Sequence, residues 1–407
     1  MAELSEAQIA KRDTPALRPW TFVLAFGLVS LFADMVYEGA RSIIGPYLAT
    51  RGASAMLVGV VAGAGEFIGY GLRLASAYLV TRTRHYWAWT IAGYALTVLS
   101  VPLIGVAPGL LGAMLLYGGE RLGKAVRSPA KDTLLSHAST ATGRGKAFGV
   151  HQFLDQLGAV AGPLLLALVL GSRSNDYRLA FATLALPGAI VLALLVWLRV
   201  RVPNPEMYEA PAEVEPAGSL QGSSESPSSL PARFWEYVGA IAILSCGVAS
   251  FPLLAYHAQT KHLVSDAMVP VLFAVAMLVD GFAGLFVGRV YDRRGPLVLL
   301  AVPLAACGAA LAFSGSAALV WVGVAVWGVV NGVLDSTVKA AVTAIVAPSA
   351  RALAFGWLSL MRGLGLLVAG AVLGVSYDHG AALTVAIILS ANIVALVGLS
   401  RALLARS

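Results

Sequence analysis

Charge is scarce in this chain. Only 12% of its 407 residues are Asp, Glu, Lys or Arg, while 58% are hydrophobic and the mean hydropathy is +0.80. That balance excludes an ordinary soluble domain, in which about a quarter of residues are charged. Cysteine is nearly absent: Cys246 and Cys307 both lie within apolar runs, which reads as packing and not as a disulfide or redox pair. No cluster of His, Cys or Met stands at ligand spacing, so no metal site is expected. No phosphate-cradling G-x-x-x-x-G-K-[ST] loop occurs, which argues against direct nucleotide-driven pumping. No catalytic constellation or cofactor motif stands out either, so the chain is not read as an enzyme. Residues 1–18 are polar and lack an apolar core, and no cleavable signal peptide is expected.

What the chain has in abundance is long apolar runs. A hydrocarbon layer about 30 Å thick takes roughly 20 helical residues to cross, and backbone groups in lipid must bond within their own segment, so each run predicts a helix. The runs fall at 20–45, 54–80, 86–107, 109–132, 145–170, 178–200, 234–258, 266–289, 296–316, 317–346, 351–376 and 381–404. The expectation is an all-α membrane protein with twelve transmembrane helices. The net charge of +7 concerns topology and not nucleic acid, because Lys and Arg collect at span ends. Lys11, Arg12, Arg18, Arg82, Arg84, Lys131, Arg144, Lys146, Arg199, Arg201, Arg233, Arg289, Arg293, Arg294, Arg351, Arg401 and Arg406 fall on one side, against chiefly Arg51, Arg173, Arg178 and Lys261 on the other. Both termini are therefore expected in the cytoplasm.

Between 202 and 232 the composition turns to Pro, Ser and Glu, which predicts a flexible linker that cannot bury enough surface to fold. The expected organisation is a cytoplasmic tail over 1–19, a six-helix bundle over 20–201, the linker, and a second six-helix bundle over 233–407. The two blocks repeat each other. Ala147, Phe148 and Gly149 recur as Ala354, Phe355 and Gly356, and Gly158 recurs as Gly365, at a separation of 207 residues. The same offset matches Asp132 to Lys339 and Asp155 to Arg362, which suggests pairing across the halves. Weak parallel repeats of this kind mark transporters whose halves rock about a midplane site.

After the eighth span the chain reads GRVYDRRG, in which Gly288 and Gly295 allow close approach and Asp292 with Arg293 can form a charged clasp. At the matching place in the first half, AYLVTRTRH has Thr81 where the acid would stand. In the fifth span Gly158, Gly162 and Pro163 form G-x-x-x-G-P, small residues on one helical face followed by a bend. With these motifs and its six, linker, six layout, the chain resembles the major facilitator superfamily, and GKAVRSPAKD over 123–132 resembles its bacterial exporter-like branch. The resemblance implies two pseudo-symmetric six-helix bundles, a monomer in the bacterial inner membrane, a small-molecule substrate and alternating access. The glycine motif of the fifth span looks like the superfamily's antiporter pattern.

Ionisable groups inside spans are expensive, so those present are functional candidates. They concentrate between Gly118 and Pro163. Glu120, Lys124, Arg127 and Lys131 share a face there, with Arg121 beside them and His151 next to Asp155. Arg127 and Lys131 read as interface anchors near the span end, and His151 as a hydrogen-bonded histidine. The first span offers Asp34, Tyr37, Glu38 and Arg41, with Asp34, Glu38 and Arg41 spaced for an internal ion pair, and the second offers Glu66, Tyr70 and Arg73 on one face. Asp280, Asp335, Lys339 and Arg362 are the chief charges of the second half. Burial disfavours an ionised carboxyl and a nearby arginine favours it, so a carboxylate whose surroundings alternate can couple protons to conformation. Asp34, Glu38, Glu66, Glu120 and Asp155 are the candidates for that role. Tyr37, Arg41, Tyr70, Arg73, Arg121, Asp280 and Arg362 are candidates for the cavity wall. The structural alternative is a fixed charge network that locks helices together.

The expected function is proton-coupled export by antiport, with a small solute, protons and membrane lipid as partners, and no nucleic acid. A second reading is proton symport of an organic anion bound by Arg41, Arg73, Arg121 and Arg362. A third, from another class, is a transporter-shaped sensor that moves nothing.

Overall fold

The computed structural model describes residues 17–140, 142–173, 175–208, 230–347 and 350–404. The tail expected over 1–19 and most of the linker expected over 202–232 lie outside them. The described residues are helical with no strand. In chain order the helices are α1 (Pro19–Thr50), α2 (Ala55–Thr83), α3 (Tyr86–Ile104), α4 (Gly109–Thr140), α5 (Arg144–Ser172), α6 (Tyr177–Thr183), α7 (Ala185–Arg201), α8 (Ala232–Cys246), α9 (Phe251–Thr260), α10 (Met268–Arg294), α11 (Ala301–Ala309), α12 (Ala317–Asp335), α13 (Thr337–Ile345), α14 (Arg351–His379) and α15 (Ala381–Leu404). Short 3₁₀ turns over Pro296–Leu300 and Ala310–Phe313 extend α11 at both ends.

Eleven segments are long and apolar enough to cross a membrane among the described residues; α6 with α7, α8 with α9, and α12 with α13 each count as one. The twelfth expected span is α4, as long as α1 at 32 residues but interrupted by Glu120, Arg121 and Lys124, which keep it out of the apolar set. Three runs read as continuous are broken, the first at Leu184 between α6 and α7. The break over 247–250 precedes Pro252, which sits in the first turn of α9, where its missing N–H costs nothing. At Ser336 the hydroxyl donates back to the Gly332 carbonyl at 2.6 Å, a bond that bends helices.

Two hydrophobic cores organise the molecule. One is built from residues between Phe22 and Tyr208. The other runs from Phe234 to Leu403 and takes in Ala55 and Ala159 from the first half of the chain. Lipid tails are as apolar as the side chains, so close backbone packing has to hold such helices together. Gly158 and Gly162 provide it where α5 meets α1: a Cβ at either would collide with the Leu31 or Met35 carbonyl. The antiport reading of that motif is a separate matter, and its packing role needs no more than this contact. Between the halves, α2 lies along α14, α5 against α10 and α1 against α9. Gly59 meets the backbone of Gly370, and Gly45 meets that of Pro252, so the halves touch backbone to backbone near the α1–α2 connection. There Asp378, near the end of α14, accepts hydrogen bonds from the Ala55 and Met56 N–H groups at 3.1 Å each.

Candidate functional site

Asp34, Glu66, Asp155, Asp280 and Arg362 fall near the middles of α1, α2, α5, α10 and α14. Helical packing brings these midpoints to one depth, and there they line a cavity of about 220 Å³ between the two halves. Its wall carries six carboxyl groups, Asp34, Glu38, Glu66, Asp155, Asp280 and Asp335, against three cations, Arg41, Lys124 and Arg362. Tyr37, Tyr70, Gln152, Gln156, Ser250 and Asn331 add polar atoms, and Met277, Trp327 and Leu366 add apolar surface. The cavity opens toward the end bearing the α4–α5 connection: Gln152 and Asp335 are exposed there, while Val248 and Ala249 on the opposite side are buried.

The three cations are all engaged. Arg41 Nη2 lies 2.9 Å from Glu66 Oε1 and its Nη1 3.5 Å from Glu38 Oε2, so the ion pair expected within α1 is present and extends to α2. Lys124 Nζ stands 3.7 Å from Glu38 Oε1 and over the Tyr37 ring. Arg362 Nη1 donates to Asp335 Oδ1 at 2.6 Å, and the Tyr70 hydroxyl donates to the same oxygen from the other half at 3.2 Å. Asp155 Oδ2 is 3.3 Å from His151 Nδ1, whose Nε2 meets Ser30 Oγ at 2.9 Å, so His151 has a partner facing each ring nitrogen. Asp34 and Asp280 differ from the rest. Neither has an ion-pair partner among the described residues.

Of the expected site residues, Asp34, Tyr37, Glu38, Arg41, Glu66, Tyr70, Asp155, Asp280 and Arg362 reach the cavity, and Glu120, Arg73 and Arg121 do not. Glu120 and Arg121 are each 1% exposed and pair with one another behind the wall, Arg121 Nε to Glu120 Oε2 at 2.9 Å, with Arg121 Nη1 3.5 Å from Glu66. The geometry makes them a buried support for Glu66. Arg73 stacks on Tyr70 at 5.6 Å outside the lining. Arg127, expected as an interface anchor, is 4% exposed: its guanidinium lies over the Tyr37 and Tyr94 rings and donates to Thr97 at 3.0 Å. Arg362 pairs with Asp335 and not with its repeat-mate Asp155, because the end of α12 is nearer than the opposite half.

In the GRVYDRRG segment Gly295 ends α10 at φ +75°, a left-handed conformation suited to glycine. Asp292 and Arg293 are exposed and form no ion pair among the described residues, and a Cβ on Gly288 would meet nothing. Thr81 turns its hydroxyl to the Ala77 carbonyl at 2.8 Å. Gln152, Gln156, Ser250, Trp327 and Asn331 were not singled out from sequence. Gln152, Asp155 and Gln156 share a helical face, and that spacing was the available signal.

A chain of midplane charges around a cavity between two helical halves is the architecture of a membrane transporter. The sequence pattern of the Major Facilitator Superfamily matches residues 120–370 and 239–405. An uncharacterized protein of Mycobacterium tuberculosis is 46% identical over 94% of this chain and 93% of its own length, and a Mycobacterium bovis protein matches equally. An MFS-type transporter of Methanocaldococcus jannaschii is 23% identical over 63% of this chain and 61% of its own. Among solved structures, the nucleoside transporter NupG superposes with a TM-score of 0.76 at 12% identity, covering 94% of this chain and all of that one. The peptide transporter POT bound to alafosfalin gives 0.71 at 16% identity and covers 98% of each chain. The chain belongs to the Major Facilitator Superfamily. It is an integral, multi-pass membrane transporter, and its substrates are small molecules.

Proposed function

We propose that the protein is a proton-coupled secondary transporter of the bacterial cytoplasmic membrane that exports a small solute in exchange for protons by alternating access. In this reading α4 joins the eleven apolar segments to make twelve spans, arranged as pseudo-symmetric bundles over 20–201 and 233–407. The linker over 202–232 and both termini are cytoplasmic, and the chain works as a monomer. Arg18, Arg82, Arg84, Lys146, Arg199, Arg201, Arg293 and Arg294 all lie toward one end, which supports this orientation. The cavity then faces the cytoplasm. Asp292 and Arg293 stand apart at that mouth, and with Gly288 and Gly295 they form their clasp only when the mouth closes.

The observation that carries the coupling is a pair of cavity carboxyls, Asp34 and Asp280, with no cationic side chain bound to them. A carboxylate drawn back from bulk water among helices is neutralised by a proton or by a cation. The two occupants exclude each other, which is the logic of exchange. Asp155, beside His151 and Lys131, is the third proton carrier, while Glu38 and Glu66 are held by Arg41. Symport of an organic anion fits less well, because Arg41, Arg121 and Arg362 are already engaged by carboxylates and Arg73 lies outside the cavity.

The test uses purified protein in liposomes with a pH-sensitive dye in the lumen and cationic, anionic and neutral solute pools added outside. Solute-dependent alkalinisation of the lumen, lost in Asp34→Asn and Asp280→Asn, is the expected result. Acidification makes the protein a symporter. Solute counterflow with no change of lumenal pH removes proton coupling altogether.

A further inference from the structure

We infer that the exported solute is a compact organic dication, an α,ω-diamine or short polyamine, held between Asp34 on α1 and Asp280 on α10. The inference rests on the exchange reading for the role of these two carboxyls, but draws on further features of the cavity.

Charge comes first. The wall holds six carboxyls and three cations, and every cation is already bound to a carboxylate of the wall. An anionic guest would have to displace one of those carboxylates. A guest with two ammonium groups displaces nothing. The charged groups around Asp34 are Asp155, Glu38, Lys124, Lys131 and Arg127, and those around Asp280 are Asp335, Glu38, Arg41 and Arg362; Arg127 is committed to the Tyr37 and Tyr94 rings and Thr97, and neither Lys131 nor Arg127 reaches Asp34 as an ion pair.

Hydrogen-bonding capacity points the same way. Glu38 is 93% buried, and its Oε2 accepts no hydrogen bond although Arg41 stands 3.5 Å away. Asp155 Oδ1 also lacks a donor. Asn331 uses one of its two amide N–H donors on the Trp327 carbonyl at 3.0 Å, and Gln156 donates to the Met277 carbonyl. Arg41 Nε, Arg362 Nε and Ser250 Oγ also lack hydrogen-bond partners among the described residues, so the excess of acceptors in the cavity rests on its six carboxyls against three cations. An ammonium group, with three donors and no acceptor, complements it.

Position and size complete the argument. A solute can shift the balance between two conformations only if it interacts differently with each, so it must engage both halves. Asp34 belongs to the first half of the chain and Asp280 to the second, and one guest reaching both is drawn to neither half alone. About 220 Å³ is below the range of roughly 300–1,000 Å³ typical of drug-sized pockets, which favours a metabolite-sized guest. Met277, Trp327 and Leu366 offer apolar surface for the methylenes between the two charges.

Equilibrium binding of radiolabelled putrescine to the full-length protein in detergent, with no gradient and no transport, tests the inference. Saturable binding is expected, displaced by cadaverine, displaced far more weakly by butylamine, and not displaced by succinate or butanediol. Asp34→Asn and Asp280→Asn should each weaken binding about thirtyfold, the effect of removing one partner of a buried charge pair. Asp34→Glu and Asp280→Glu, which keep the charge, should lose much less, and gel filtration with thermal unfolding establishes that each variant is folded. No saturable putrescine binding to the wild type, equal competition by butylamine, or displacement by succinate would each overturn the inference. Putrescine binding without proton movement in the liposome assay overturns the exchange reading and leaves the dication. Proton-linked movement of a neutral or anionic solute, with no putrescine binding, does the reverse.

Discussion

Removing the Asp378 carboxylate should loosen one end of the molecule without damaging either half. Its two oxygens accept the backbone N–H groups of Ala55 and Met56 at 3.1 Å each, the first two residues of α2. These are orphan donors of a helix N-terminus, and a carboxylate there also meets the positive end of the helix dipole. Ser54 caps α2 from within, accepting from Leu57 N at 3.3 Å, so α2 itself survives Asp378→Ala. What is lost is a tie between α14 and α2. Loss of such a cap costs about 1 kcal/mol, and the exposed position of Asp378 argues against a larger figure. A difference of about 1 kcal/mol shifts a two-state equilibrium roughly fivefold. The assay replaces Cys246 and Cys307 by Ser, introduces Ser250→Cys on the sealed side of the cavity, and follows its modification by an impermeant maleimide added from the α1–α2 side. When opening and closing are fast relative to labelling, the rate follows the open population. Asp378→Ala should label about fivefold faster, with Asp378→Asn in between because an amide oxygen can still accept. An unchanged or slower rate would refute the account of this closure.

Three further outcomes follow from the same geometry. Glu120→Gln strands the Arg121 guanidinium, and breaking a buried pair typically costs about 3–5 kcal/mol; the 3.5 Å contact from Arg121 to Glu66 places the loss at the lower end. Denaturation in detergent should show it, and a loss below about 1 kcal/mol would mean that water reaches the pair. Gly370→Ala places a Cβ against the Gly59 carbonyl, so α2 and α14 must part, and Ser250→Cys labelling should accelerate. If one diamine exchanges for two protons, transport is electroneutral, and clamping the membrane potential with valinomycin and potassium should leave its rate unchanged, since only net charge movement draws on the potential.

The all-helical, membrane-spanning character was legible because it depends on hydropathy summed over long segments. The ion pair between Glu38 and Arg41 was legible because its spacing lies along one helix. Contacts between helices were not. Arg41 to Glu66 and Lys124 to Glu38 join elements whose rotation about their axes no single run encodes. Arg127 read as an interface anchor because of its distance along α4, yet its long side chain lies under two tyrosines from α1 and α3. The repeat misled in an instructive way. The 207-residue offset matches Asp155 to Arg362 in the sequence, and a match between repeats does not make two residues neighbours. Arg362 found its carboxylate on α12, within its own half.

That last point extends to every ion pair of the cavity. Glu38, Glu66 and Glu120 bind Arg41, Arg121 and Lys124 within the first half, and Asp335 binds Arg362 within the second; no ion pair joins the halves among the described residues. What crosses is weaker. The Tyr70 hydroxyl reaches Asp335, Gln156 donates to the Met277 carbonyl, Asp378 accepts from α2, and the Arg41 and Arg362 guanidinium groups face Phe273 and Tyr70 rings. Breaking a buried ion pair would strand two charges in a low-dielectric interior, at a cost that would block any rocking of one half against the other. Hydrogen bonds worth about 1 kcal/mol each, and glycine contacts that slide, impose no such barrier. The charges that stay paired therefore travel with their own half. On the proposed exchange, Asp34 in one half and Asp280 in the other, left without ion pairs among the described residues, are the groups whose neutralisation would differ between conformations, and there proton, solute and conformation would meet.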